Sequence, residues 1–251
     1  MLGCSAAELP NSNLSSFLID GRILLDAGTI GSALSQSEQW KIKHVLITHA
    51  HLDHIKDLPF FADNISINNR RRQVTVMSIP QVIQALKNNL LNDIVWPDFT
   101  KIPTPKQPIL RLEKINPEKT FKINGYKITA FRVNHAVPAV GYLLEDRKGR
   151  RLLYMGDAGP SNVIWKSINN KKLDGLIIEV SFPERFKELA LKTGHLTPAL
   201  LEAELKKLGK APDNVFITHC KPHYREKVTK ELKKLNLNNI EILKDGAIIE
   251  L

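Results

Sequence analysis

Four potential metal ligands stand within six residues, His49-Ala50-His51-Leu52-Asp53-His54, directly after the apolar run Val45-Leu46-Ile47-Thr48. Such a cluster at the mouth of a strand constrains the fold strongly, because its coordination must be completed by side chains delivered from elsewhere to the same point. Extended backbone throws successive side chains to opposite sides, so His49 and His51 point together and converge on one ion. If the chain turns into a helix at Asp53, then Asp53 and His54 diverge from the first pair by only a few ångströms. That suits a second ion about 3.5–4 Å from the first. Imidazole and carboxylate are ligands for zinc. The expectation is therefore two divalent ions, Zn2+ first, with Mn2+ or Fe2+ as substitutes, since selection among them follows geometry and availability.

One hexamer cannot fill two coordination shells, and three further strand ends offer donors. His135 follows the alternating segment Ile128–Val133, Asp157 follows Leu152–Met155 within Gly156-Asp157-Ala158, and His219 follows Val215-Phe216-Ile217-Thr218. Asp157 is the natural bridging carboxylate. His135 would complete the first site and His219 the second, with open positions left for a water between the ions. Asp26, in Leu24-Leu25-Asp26-Ala27-Gly28, ends a buried-looking strand and reads either as a partner that holds the metal loop or as a turn former.

Periodicity and punctuation give the coarse plan. Strands are expected over 15–19, 22–25, 45–48, 74–79, 175–180 and 215–218, and helices over 32–40, 81–91, 163–168, 198–208 and 225–235. Asn124-Gly125 marks a hairpin between Phe121-Lys122-Ile123 and Tyr126–Phe131. A last pair of short strands is expected on either side of Asp245-Gly246, and the Pro-punctuated stretch from Val95 to Pro108 should be loop. No repeat or linker is visible, so residues 1–251 read as a single domain.

The ligand order His-x-His-x-Asp-His, then His, Asp and His, resembles the metallo-β-lactamase superfamily, and the resemblance covers nearly the whole chain. It implies an α/β fold, a four-layer αββα sandwich with the metals at one edge of the two sheets. Lactam, thioester and phosphodiester hydrolases share that frame, so the substrate must be read from the surroundings of the metals.

Glu179-Val180-Ser181-Phe182-Pro183, followed by Gly194-His195-Leu196-Thr197-Pro198, is similar to the phosphodiesterase members. The resemblance implies that Glu179 orients His195, and that His195 stabilises the phosphate or protonates the departing oxygen; such a proton is worth typically ~10²–10⁴-fold in rate. Asp53 is placed with these two among the catalytic groups as well as among the ligands. Thr197 and Pro198 also read as the N-cap and first position of a helix. Three segments resemble the class II cyclic-nucleotide phosphodiesterases in particular: His49–Ile55, Asn92-Asp93-Ile94-Val95-Trp96-Pro97-Asp98-Phe99, and Gly156–Pro160 running into Val163-Ile164-Trp165. Asn92, Trp96 and Phe99 are accordingly the candidate substrate-binding residues. A base presents a π-face on which aromatic rings stack, although loop aromatics also serve as packing anchors.

The formal charge of +10 favours anionic ligands, nucleic acid included. The charge is spread, however. Arg70-Arg71-Arg72 is the only arginine triplet, and Lys206, Lys207, Lys210, Lys227, Lys230, Lys233 and Lys234 read as solvated helix faces. A long RNA groove would need a denser basic stripe with interleaved aromatics. Cys4 and Cys220 make no disulfide framework, no apolar run approaches the length of a membrane span, and a cytoplasmic location is expected. The expected function is hydrolysis of a small cyclic nucleotide such as cAMP or cGMP to its 5′-monophosphate, with no membrane partner and a homodimer left open. The alternative is a tRNA 3′-processing endonuclease acting on RNA, for which no Gly-Pro-rich gripping arm is visible. A di-iron redox protein on the same frame would place an acid where His51 stands.

Overall fold

The computed structural model describes residues 1–67, 72–168, 171–235, 237 and 239–251, so Arg70 and Arg71 of the arginine triplet lie outside the described residues. The first sheet contains β1 (Phe17–Ile19), β2 (Ile23–Leu25), β3 (His44–Leu46) and β4 (Val74–Ser78). After the two-residue strands β5 (Pro103–Thr104) and β6 (Gln107–Pro108), which pair only with each other, β7 (Leu110–Lys114) completes it in the order β1-β2-β3-β4-β7. The second sheet contains β8 (Thr120–Ile123), β9 (Tyr126–Arg132), β10 (Val140–Glu145), β11 (Arg151–Tyr154), β12 (Gly175–Glu179), β13 (Asn214–Thr218) and β14 (Ile240–Ile242), in the order β14-β13-β12-β11-β10-β9-β8. Strands β8 to β11 pair antiparallel, whereas β11 to β14 are parallel, their crossovers carrying helices.

Side-chain alternation in the second sheet explains the layering. Tyr142, Leu144, Tyr154, Ile177 and Phe216 belong to the core shared with the first sheet. Their neighbours Leu143, Leu153, Leu176, Ile178, Val215 and Ile217 belong to a separate core with α5 (Val163–Ile168), α7 (Pro198–Leu205) and α8 (Arg225–Leu232). On the other side, α3 (Leu58–Ser66) and α4 (Pro80–Asn89) bury Leu58, Phe61, Ile65, Val82 and Leu86 against the first sheet. Both sheets are thus covered on both faces, an αββα sandwich. The short helices α1 (Gln36–Gln39), α2 (Leu52–Ile55) and α6 (Lys187–Thr193) complete the set among the described residues. None of the described helices is long and apolar enough to cross a membrane.

The hairpin expected at Asn124-Gly125 is present, both residues having positive φ (50° and 92°) as a tight primed turn requires. Some expectations differ from the structure. The stretch from Val95 to Pro108, expected as loop, carries the short β5–β6 ladder, because its prolines stand at the Pro103–Pro108 pair where no ladder N–H is required of them. The helix over 32–40 shrinks to α1, begun by a Ser35–Glu38 capping box. Only β14 forms near the C-terminus. The stretch beyond Gly246 adds no strand, because its backbone bonds return to the first residue instead: Gly246 N–H donates to the Met1 carbonyl and the Met1 amine to Ala247 O.

Strands β9, β11, β12 and β13 run in one direction, so their carboxyl ends deliver His135, Asp157, Glu179 and His219 to the same edge of the second sheet. The end of β3 delivers the hexamer from the first sheet. Ligands at the carboxyl ends of parallel strands are the usual consequence of such open sheets.

Candidate metal centre

The seven proposed ligands come together as two groups that share one carboxylate: His49, His51, His135 and Asp157 in one, Asp53, His54, Asp157 and His219 in the other, donor atoms within 4.8 Å of one another in each. In the second group His219 Nε2 lies 3.1 Å from Asp53 Oδ2, 3.3 Å from Asp157 Oδ1 and 3.4 Å from His54 Nε2. In the first, His51 Nδ1 and His135 Nε2 are 3.2 Å apart. Four ligands held tetrahedrally at about 2.0–2.1 Å stand roughly 3.3 Å from each other, so these separations fit a cation between them. Two metal-donor atoms carry the same message: among the described residues, His49 Nε2 and Asp157 Oδ1 are buried without a hydrogen-bond partner, a costly state unless an ion occupies the gap. The residues present therefore fit a dinuclear cation site.

Four of the five candidate ligand imidazoles are aimed by a fixed partner on the other nitrogen. Asp26 Oδ2 lies 2.7 Å from His54 Nδ1, Ser181 Oγ 3.0 Å from His219 Nδ1, Thr48 Oγ1 3.0 Å from His49 Nδ1, and the Gly194 carbonyl 3.0 Å from His135 Nδ1. Such partners set the tautomer and leave the opposite nitrogen free for the ion. Burial pushes His49, His51 and His135 below the usual imidazole range, which keeps them neutral as ligands must be. Burial also opposes charge on His54, but the Asp157 and Asp26 carboxylates outweigh it and hold that imidazole above its ordinary value. Asp157 is itself held well below the carboxylate range despite burial, chiefly by His219 and His54.

Two of the residues at the centre carry backbone strain. Asp26 and His219 adopt φ of 57° and 59°, conformations that side chains avoid unless the surroundings impose them. His219 is pinned by its N–H donating to Cys4 O at 2.7 Å. Asp26 accepts from Thr48 N–H (2.7 Å), Thr48 Oγ1 (2.8 Å) and Tyr154 OH (2.7 Å) besides His54. It ties the metal loop of the first sheet to β11 of the second. Asp26→Asn should therefore weaken retention of the ion at His54 by about 10–100-fold, read by chelator competition. Unchanged retention would reduce Asp26 to a brace for its turn.

Glu179, fully buried, is a hub of four donors: Ala158 N–H (3.1 Å), Ser181 Oγ (2.5 Å), Leu196 N–H (3.4 Å) and His195 Nδ1 (2.6 Å). His195 packs between the two groups, its ring stacked on His219 (5.6 Å, 19°) and edge-on to His135 (5.2 Å), with 12 % of its side chain exposed at the mouth. Gly194 before it has φ of 72°, and a Cβ there would meet His135 Cα at 2.9 Å, so only glycine lets the two histidine segments close up. Thr197 occupies the N-cap position of α7, but its hydroxyl makes no cap bond and has no partner among the described residues.

The candidate substrate-binding residues lie differently. Phe99 is 5 % exposed within the core and has no face open to a base. Asn92 caps its own turn, its Oδ1 accepting from the N–H groups of Ile94 and Val95. Trp96 packs edge-to-face on Phe60 at 5.0 Å. Ser181, Thr48 and the Gly194 carbonyl were not foreseen. A serine, a threonine and a peptide oxygen have no distinctive sequence signature.

Paired cation positions at the edge of an αββα sandwich, beside an acid-held histidine, define the metallo-hydrolase architecture. Residues 21–220 match the beta-lactamase superfamily domain, and the chain belongs to that superfamily. The probable 3′,5′-cyclic-nucleotide phosphodiesterase of Yersinia pestis is 27 % identical over 230 residues, covering 82 % of this chain and 64 % of the relative. The chain thus spans less than two thirds of that relative's length. Ribonuclease Z of Archaeoglobus fulgidus is 24 % identical over 257 residues, covering 79 % of this chain and 78 % of the relative. The crystal structure of unliganded yeast PDE1 shares the fold, with a TM-score of 0.81 over 96 % of this chain and 95 % of that one at 21 % identity.

Proposed function

We propose that this chain is a dinuclear metal phosphodiesterase that hydrolyses 3′,5′-cyclic nucleotides to 5′-monophosphates. The observation that carries the reading is the Glu179–His195 pair, 2.6 Å apart, set against both ligand groups. Hydrolysis of a lactam or thioester has less need of such a group than expulsion of a ribose alkoxide, a poor leaving group unless protonated. The similarity to the Yersinia pestis phosphodiesterase supports the same choice.

Five imidazoles and two carboxylates suit zinc, held by His49, His51, His135 and Asp157 on one side and by Asp53, His54, Asp157 and His219 on the other. When bound, the ions supply Lewis acidity, neutralising phosphate charge and making a water more acidic. The chain's own part follows from its geometry. Glu179 accepts from His195 Nδ1 and fixes the ring, so that Nε2 is the nitrogen free to face the substrate. Water adds to phosphorus in line with the 3′-oxygen and gives up a proton to solvent, the P–O3′ bond breaks, and the proton on His195 Nε2 passes to O3′, after which His195 takes a proton back from solvent. The three other donors to Glu179 keep its carboxylate in place during this transfer.

The likeness to Archaeoglobus fulgidus ribonuclease Z favours a second reading, cleavage of an RNA diester at the same centre. Metal-loaded protein offered cAMP, cGMP, bis(p-nitrophenyl) phosphate and a pre-tRNA in parallel separates the two. Conversion of a cyclic nucleotide to its 5′-monophosphate is the expected result. Cleavage of the generic diester and the pre-tRNA, with both cyclic nucleotides untouched, would replace the first reading by the second.

A further inference from the structure

Beyond His195 the wall of the centre is aromatic and cationic. The Phe182 ring lies 5.7 Å from that of His195, and Tyr224 lies 6.4 Å from Phe182 and 5.2 Å from Phe186. Two cations rest on these rings. Lys221 Nζ stands 5.3 Å from the Phe182 centroid, and the Arg185 guanidinium stands 4.8 Å from that of Phe186 and 5.8 Å from that of Tyr224. The wall is built from two segments, the turn after β12 and the turn after β13, docked by the Lys221 N–H on the Ser181 carbonyl.

Neighbouring carboxylates are engaged elsewhere. Glu184 accepts from Ala199 N–H at 2.5 Å, and Glu231 accepts from Glu184 N–H at 2.9 Å and lies 3.5 Å from Lys227. Among the described residues neither Lys221 nor Arg185 has an ion-pair partner. Other surface cations do pair, as Lys206 with Glu202 and Lys230 with Glu226 show. Two unneutralised cations preorganised on aromatic faces, Lys221 one ring and Arg185 two rings away from the acid-held histidine, match a ligand that is anionic and carries its own π-face.

We propose that Lys221 and Arg185, carried on Phe182, Phe186 and Tyr224, form the nucleotide-binding wall of the centre, Lys221 holding the phosphate by its charge and the Arg185 plane stacking the base. This rests on the phosphodiesterase reading and places base recognition on the turns after β12 and β13.

The test uses metal-loaded full chain with cAMP as substrate and 5′-AMP as the calorimetric probe. Metal content is measured in every variant to show that the centre is intact. Lys221→Gln should weaken 5′-AMP binding and raise KM for cAMP by about tenfold or more, the scale of one charge-assisted contact. It should also flatten the salt dependence of both, and Lys221→Arg should restore most of the loss. Arg185→Gln should raise KM for cAMP and weaken 5′-AMP while leaving inorganic phosphate affinity at the parental value, because phosphate has no base to stack. Wild-type protein that hydrolyses cAMP, with both Gln variants keeping parental KM and 5′-AMP affinity, overturns the wall alone. Wild-type protein that neither hydrolyses cAMP nor binds 5′-AMP overturns the phosphodiesterase reading and the wall with it.

Discussion

Asp157→Ala is expected to lose both ions and all measurable turnover. Asp157 is the one residue common to the two ligand groups, with Oδ1 3.2 Å from His54 Nε2 and 3.3 Å from His219 Nε2, and Oδ2 3.8 Å from His49 Nε2. Its removal takes a ligand from each position and leaves five imidazoles with Asp53 as the one carboxylate remaining in the two groups. Lewis-acid stabilisation of transition-state charge is worth several kcal/mol, so turnover should fall by at least about 10³-fold. A second readout is independent of rate. Ions that bind the folded chain and not the unfolded one stabilise it by mass action, so a chelator should lower the parental melting temperature and leave that of the variant unchanged. A variant that retains two ions by elemental analysis would show that Asp157 bridges nothing.

His195→Ala should retain its ions, since the residue belongs to neither of the two ligand groups that share Asp157, yet lose about 10²–10⁴-fold in cAMP turnover. The loss should be much smaller on bis(p-nitrophenyl) phosphate, because a nitrophenolate departs without a proton. Equal losses on the two substrates would make His195 a charge stabiliser and not an acid. The pH profile adds a signed test. Burial alone would lower His195, but the Glu179 carboxylate outweighs it and holds the imidazole above its ordinary value. An acid works while protonated, so the rate falls as pH rises through that raised value. Glu179→Gln removes the cause, and the alkaline limb should move to lower pH; a limb that stays in place would detach the proton from this pair.

That these candidate ligands would cluster was legible because coordination chemistry is selective. Few residue types bind a cation, and His49, His51, Asp53, His54, His135, Asp157 and His219 all follow apolar runs short enough to be strands. Asp26 was legible for a related reason, a carboxylate at the end of a buried strand. Phe99 was not. A proline-punctuated segment looks like an exposed loop, and only the tertiary structure shows that Phe99 O accepts from Leu110 N–H and draws the ring into the core. The Lys221–Arg185 wall was equally hidden, because two cations and three aromatics from turns some forty positions apart (Phe182 and Lys221) form no pattern along the chain. The second terminal strand failed on pairing, since alternation cannot reveal that the final segment's backbone is satisfied by residue 1.

His54 and His219 meet at 3.4 Å although 165 positions separate them, one hung from each sheet. Neither half of the sandwich owns a complete cage for an ion. Cut between β7 and β8, the polypeptide would yield two fragments that are each chemically mute, and reassembly of the pair would be reported by the return of catalysis itself.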